Sequence, residues 1–117
     1  MANQRAQTWV EELADLWNLA DGWNGEDSLA PLSETFSNLQ DLLLAINVGD
    51  PSLTPNMNGT LSAEWIVDVD HYAYLEVGYV GASAMVKRAP LESVFINSTV
   101  KEFPTEQFAE LVTAITI

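Results

Sequence analysis

At about Leu53 the apolar pattern of this chain changes its period from 3.6 residues to 2, and that switch limits the possible folds more than any other feature. Upstream, Trp9, Leu13, Leu16, Trp17 and Ala20 recur as one stripe, which predicts a helix over 8–20. Thr8 followed by Glu11 fits a capping box at its start, and Asp21-Gly22 ends it. Pro31 and Ser33 mark the start of a second helix with a broader face of Phe36, Leu39, Leu42, Leu43 and Ile46, stopped by Gly49, Asp50 and Pro51. The two helices, joined by a Gly-rich polar loop of about ten residues, can lie antiparallel, but each still needs another layer to bury its apolar face.

Downstream, Leu61, Ala63, Trp65 and Val67 alternate with Thr60, Ser62 and Glu64. After a turn over 68–71, Ala73, Leu75, Val77 and Tyr79 alternate with Tyr72, Tyr74 and Glu76. These are two half-buried strands of an antiparallel hairpin. Segments 84–87 and 94–100 supply two more strands, and the neighbourhood of Leu53 is a candidate fifth. Pro104 suits a helical first turn, and Phe108, Leu111, Val112 and Ile115 repeat at helical spacing behind it. The expectation is an α+β fold in a single domain over 1–117: two N-terminal helices within 8–47, an antiparallel sheet of four to five strands within 53–101, and a closing helix over 104–117. Helices on one face of one sheet is the economical packing.

Charge bears on partners more than on fold. Between Arg5 and Lys87 there is no lysine or arginine, while the same stretch carries thirteen carboxylates, and the whole chain has a formal net charge of −13. A one-signed field draws in cations and basic surfaces and repels nucleic acid and anionic lipid. The acids are interleaved with apolar residues in clear periods, so they belong to a folded surface rather than to a disordered acidic tail. Lys87, Arg88 and Lys101 are too few for a nucleic-acid footprint, and they suggest an electric polarity, with a slightly basic edge opposite an acidic helical end. Without cysteine there are no disulfides and no thiolate nucleophile or metal site. The N-terminus lacks the apolar core of a signal peptide and the longest apolar run is 42–46, so the expected address is cytoplasmic, with no membrane partner. Asn58 and Asn97 match the glycosylation acceptor pattern by chance on that reading.

The run Asp21-Gly22-Trp23-Asn24-Gly25, then Pro31 and Ser33, then Pro55, Gly59 and a strand holding Glu64-Trp65, resembles a group of small uncharacterised bacterial and phage α+β proteins. In that group a Trp-x-Gly loop links two helices ahead of a β-meander and a short helix closes the chain. The resemblance covers most of residues 9–117. It implies an α+β fold and a prokaryotic or phage setting, with no known reaction and no catalytic residues to transfer. Glu26 departs from the pattern, standing where such proteins often carry an aromatic residue.

Three acidic groupings and one aromatic face are the candidate partner-binding residues: Glu11, Glu12 and Asp15 on the first helix; Glu26 and Asp27, with Asp21, beside Trp23; Asp68, Asp70 and Glu76 around the hairpin; and Tyr72 and Tyr74 on the strand face opposite Ala73, Leu75 and Val77. Trp23 is either an exposed anchor or a plug folded back between the helices. The tyrosine face, toward which Ile66 also points, is either an exposed grip for basic groups or a surface buried in a homodimer. Asp68, Asp70 and His71 are turn residues before they are metal ligands, because no further ligand is in view. Trp23 and Gly25 stand where a calcium loop needs oxygen ligands. No nucleophile elbow or phosphate-binding glycine loop is present, and with seventeen acids any carboxylate pair arises by coincidence. The chain is therefore expected to be no enzyme and to need no cofactor or metal. The leading expectation is an acidic protein-binding module that inhibits a basic, nucleic-acid-handling protein, with phage anti-defence as one setting and carboxylates imitating phosphate spacing. The alternatives are an immunity or antitoxin partner using Trp23 or the tyrosine face, a homodimer whose acidity serves only solubility, and an enzyme using His71 with Asp68 or Asp70.

Overall fold

The computed structural model describes residues 8–25 and 27–116. Its elements are α1 (Thr8–Leu16), α2 (Ser33–Ile46), β1 (Ser52–Pro55), β2 (Leu61–Asp68), β3 (His71–Val77), β4 (Gly81–Arg88), β5 (Leu91–Thr99) and α3 (Thr105–Thr116). The five strands form one antiparallel meander in the order β1-β2-β3-β4-β5. All three helices lie on the same face of this α+β fold: α2 packs against α3 and both sit on the central strands, while α1 runs beside β1.

The register brings the alternating apolar residues into one layer. Ala63 pairs with Leu75, Leu75 with Ala84, and Ala84 with Ile96, so each strand contributes the same face. Phe36, Leu39, Leu42, Leu43 and Ile46 from α2 and Phe108, Val112 and Ile115 from α3 close over that layer. Phe108 is at its centre, edge-on to both Trp65 and Phe103 at 5.5 Å between ring centroids. The Trp65 indole N–H donates to the Val48 carbonyl at 2.6 Å, and Gly49, at φ +63°, lets the chain turn tightly beside that ring.

Several boundaries differ from the sequence expectation. α1 ends at Leu16, four residues early, through tightening i→i+3 bonds from Asn18 to Asp15 and Leu19 to Leu16, and Trp17 is left 54% exposed with its ring 4.6 Å from that of Phe36. The start of α1 is tied from far along the chain: Asp50 accepts the Trp9 N–H at 2.9 Å and also takes the Thr8 hydroxyl. The N-cap position of α2 is Leu32, which makes no side-chain cap, and Ser33 is already helical. α2 closes at Asn47, in the left-handed conformation with its N–H on the Leu43 carbonyl, two residues before the expected glycine. Tyr79 belongs to the β3–β4 turn and is exposed, because β3 stops at Val77. Val67 is exposed too, since a bulge between Ile66 and Asp68 takes it out of the alternation. α1 has β1 as its main neighbour, and it meets α2 along a groove lined by Trp9, Leu13, Trp17 and Phe36.

Candidate functional site

The expected acidic surfaces do not converge. Glu12 of α1 accepts the Leu53 N–H at 2.9 Å and so binds α1 to β1, while Glu11 and Asp15 on the same helix are exposed. The Trp23 loop docks at the β1–β2 turn through the Leu29 N–H on the Met57 carbonyl. Asp68 and Asp70 lie at the other end of β2 and β3, because Leu61 pairs with Val77 while Asp68 pairs with His71; Glu76, expected beside them, is instead at the first end, paired with Ser62 and accepting from Thr60. A strand of that length separates the two ends by about 20 Å. Several of these carboxylates have internal work as well: Asp21 accepts the Ala30 N–H at 2.9 Å and Asp68 accepts from both Asp70 and His71.

Trp23 is neither a free anchor nor a plug between two packed helices. It is half-buried and its indole N–H donates to the Leu29 carbonyl at 2.9 Å, closing its own loop. Buried Ser28 holds that loop from within, accepting the Asn24 N–H and donating to the Gly25 carbonyl. Gly22 and Gly25, at φ +84° and +116°, supply the backbone conformations that the loop requires. Asp27 is exposed beside it, and Glu26 lies outside the described residues.

His71 joins the two hairpin turns at the far end of the sheet. Its Nδ1 is 2.8 Å from Asp68 Oδ1 and its Nε2 2.9 Å from the Ala89 carbonyl. Both partners are acceptors, so only the doubly protonated ring donates to both. Its pKa is accordingly raised, first by the Asp68 hydrogen bond and then by that to Ala89, and the Asp68 pKa is lowered, first by the bond from His71. His71 lines a shallow depression with Arg88, Leu91 and Ile115, although both ring nitrogens are already engaged. No cluster of three or more potential metal ligands occurs among the described residues.

The surface that the fold does assemble is the sheet face away from the helices. Pairing places Ile66 beside Tyr72 and Lys87 in one row, Glu64 beside Tyr74, Met85 and Phe95 in the next, and Ser62 beside Glu76, Ser83 and Asn97 in the third. Ile66 is 68% and Phe95 76% exposed, and Tyr72, Tyr74 and Met85 are half-buried between them. The third row is braced by a polar network. Asn56 donates to Ser62, whose hydroxyl meets the Tyr74 hydroxyl at 2.9 Å, and Thr60 donates to Glu76 at 2.6 Å. The Tyr74 pKa is raised, mainly by burial. On this face Lys87 extends over the Tyr72 ring, 5.8 Å from its centroid, with Asp70 at 4.0 Å. Glu64, Met85 and Phe95 were not candidates from sequence. Alternation assigns faces within a strand, but only the register between strands aligns Phe95 with Tyr74 and Glu64.

No family model matches the chain, and neither the curated proteins nor the solved structures show a significant similarity to it. No helix among the described residues is long and apolar enough to cross a membrane.

Proposed function

We propose that the chain is a protein-binding module whose docking surface is this helix-free sheet face and whose partner is a basic protein surface. One observation carries the reading: large apolar side chains, two tyrosines and the carboxylates of Glu64 and Glu76 share one uncovered face of a molecule with net charge −13. The Lys87 ammonium resting over Tyr72 beside Asp70 illustrates within the chain how that face receives an amine. A partner's lysine or arginine stems would lie along Ile66, Met85 and Phe95, with their heads directed to Glu64 and Glu76. Where the basic surface is a nucleic-acid channel, occupation blocks it, so inhibition is the expected consequence. Imitation of phosphate spacing by all three acidic groupings is not part of the proposal, because Asp68 and Asp70 lie at the opposite end of the sheet from the Trp23 loop and Glu76.

Titration with two peptides of matched length, one alternating lysine with leucine and one glutamate with leucine, tests the reading by backbone amide shifts. The basic peptide should shift Glu64, Tyr72, Tyr74 and Phe95 together, with affinity falling as salt rises. Shifts confined to α1, or equal shifts with both peptides, would refute it.

A further inference from the structure

Glu76 is half-buried, and among the described residues no cation pairs with it: the ion pairs there join His71 to Asp68 and Lys87 to Asp70, toward the other end of the sheet. Its two oxygens are held by hydroxyls instead. One arm runs from the Asn56 side-chain amide to the Thr60 hydroxyl at 2.9 Å and on to Glu76 Oε2 at 2.6 Å. The other runs from the same amide to buried Ser62 at 2.8 Å, then to the Tyr74 hydroxyl at 2.9 Å, and from there to Glu76 Oε1 at a longer 3.3 Å. A hydroxyl has one proton to give, so Ser62 accepts from Asn56 and donates to Tyr74, and Tyr74 donates to the carboxylate. The two arms set the plane of the carboxylate and give each oxygen one donor. An ionised carboxylate has about four acceptor positions, so about one stays open on each oxygen.

Glu76 also lines a depression of about 320 Å³ with Thr60, Gly78, Gly81, Ser83 and Asn97. The register sets Glu76, Ser83 and Asn97 in one row of the helix-free face, and the two glycines bring no side chain to its rim. The Ser83 hydroxyl and the Asn97 side-chain amide have no hydrogen-bond partner of their own. The adjoining row carries Tyr74 and Phe95, about 7 Å away along the strands, as an aromatic wall.

We infer that this depression receives the guanidinium of a partner's arginine, with Glu76 as its bidentate counter-ion. The inference rests on the docking face proposed above and names the side chain that anchors there. A guanidinium is a flat fork of N–H donors without an acceptor, and two of them pair side by side with the two open carboxylate positions. The Ser83 and Asn97 side-chain oxygens accept others, and the plane of the group stacks on the aromatic wall. An ammonium carries the same charge on a single nitrogen, so the fixed carboxylate plane gives it no advantage. A neutral ligand leaves Glu76 without a counter-charge.

The test is a nuclear magnetic resonance titration of the whole chain with Nα-acetyl-arginine methylamide, its lysine counterpart and its citrulline counterpart, which has the arginine shape without the charge. Arginine should shift the Glu76, Ser83 and Asn97 amides together and bind about tenfold more tightly than lysine, while citrulline leaves them unmoved. Glu76→Gln should weaken arginine binding by about tenfold and abolish its preference over lysine. Asn97→Asp, at an exposed position where folding is not at stake, adds a second carboxylate to the row and should tighten it. Asp41→Asn, the same loss of one charge on the exposed side of α2, should change nothing. Equal affinity for arginine and lysine, arginine shifts lying outside this row, or unchanged arginine binding in Glu76→Gln or in Asn97→Asp would each overturn the inference. The docking face fails separately, since it is tested by the lysine–leucine peptide, which contains no guanidinium.

Discussion

The same strands present two faces with the same kinds of residue and opposite fates. On one, Leu61, Ala63, Ala73, Leu75, Val77 and Val86 are buried under α2 and α3. On the other, Ile66 and Phe95 stand in the open beside two tyrosines. The buried face has small residues at its centre, Ala63, Ala73 and Ala84, which let the helices approach and let Trp65 and Phe108 fill the remaining space. The open face has large residues onto which no described segment folds. Hydrophobicity alone therefore does not define the core. A strand face becomes core where a helix of the same chain reaches it, and an apolar face without one is available to another molecule.

The sharpest way to break this contrast is to truncate a side chain on each face. Phe108→Ala removes the ring around which Trp65 and Phe103 pack and should cost about 3–5 kcal/mol in urea denaturation. Phe95→Ala, an equally large deletion, should change stability by no more than about 0.5 kcal/mol while weakening binding of the basic peptide. A loss of more than about 2 kcal/mol at Phe95 would mean that the open face is core after all.

A smaller effect tests the ties that hold the helices to the buried side. Asp50→Ala removes the acceptor at the start of α1 and should destabilise by about 1 kcal/mol, visible as a lowered urea midpoint at unchanged slope.

The hairpin ends offer a pH test. His71 has a folded pKa above its usual value, so its contribution is complete below about 6.5 and is lost as pH rises through the folded pKa. Asp68 acts in the opposite direction, with a lowered pKa whose contribution is lost as pH falls through it. Melting temperature followed from pH 5 to 9 should show a fall on the alkaline side that His71→Gln flattens. An unchanged profile in that variant would remove His71 from the bridge between the turns. The smallest expected change is at the surface of the open face, where Ile66→Thr should alter stability by at most about 0.5 kcal/mol and leave core packing untouched.

Much of the architecture was legible because it is local. The period switch near Leu53, the stripes of α2 and α3, and the alternation in β2 and β3 all reflect contacts set by residues a few positions apart. The expectations that failed depend on partners that no period reports, some distant in sequence and some within the same loop. α1 stops at Leu16 instead of reaching Ala20, and its first turn is held by Asp50, so its extent and anchoring are set by β1 and the preceding loop. Trp23 turned inward on its own loop because Ser28 and Leu29 supply partners that no spacing rule singles out.

The candidate site shows the same division. Tyr72, Tyr74, Glu76 and Ile66 could be placed on one face from alternation alone, since β2 and β3 form a short hairpin. Met85 and Phe95 could not, because their alignment with Tyr74 requires the β3–β4 and β4–β5 registers. The sequence by itself determined the order of the elements, the one-signed charge and the apolar stripes of α2, α3, β2 and β3 that supply most of the core, since each follows from composition and short-range period. Only the tertiary structure decided that the acidic groupings part to opposite ends, that one sheet face stays open, and that β5 rather than β1 is the exposed edge. Those outcomes depend on where the helices come to rest, and a helix can cover only one side of a sheet.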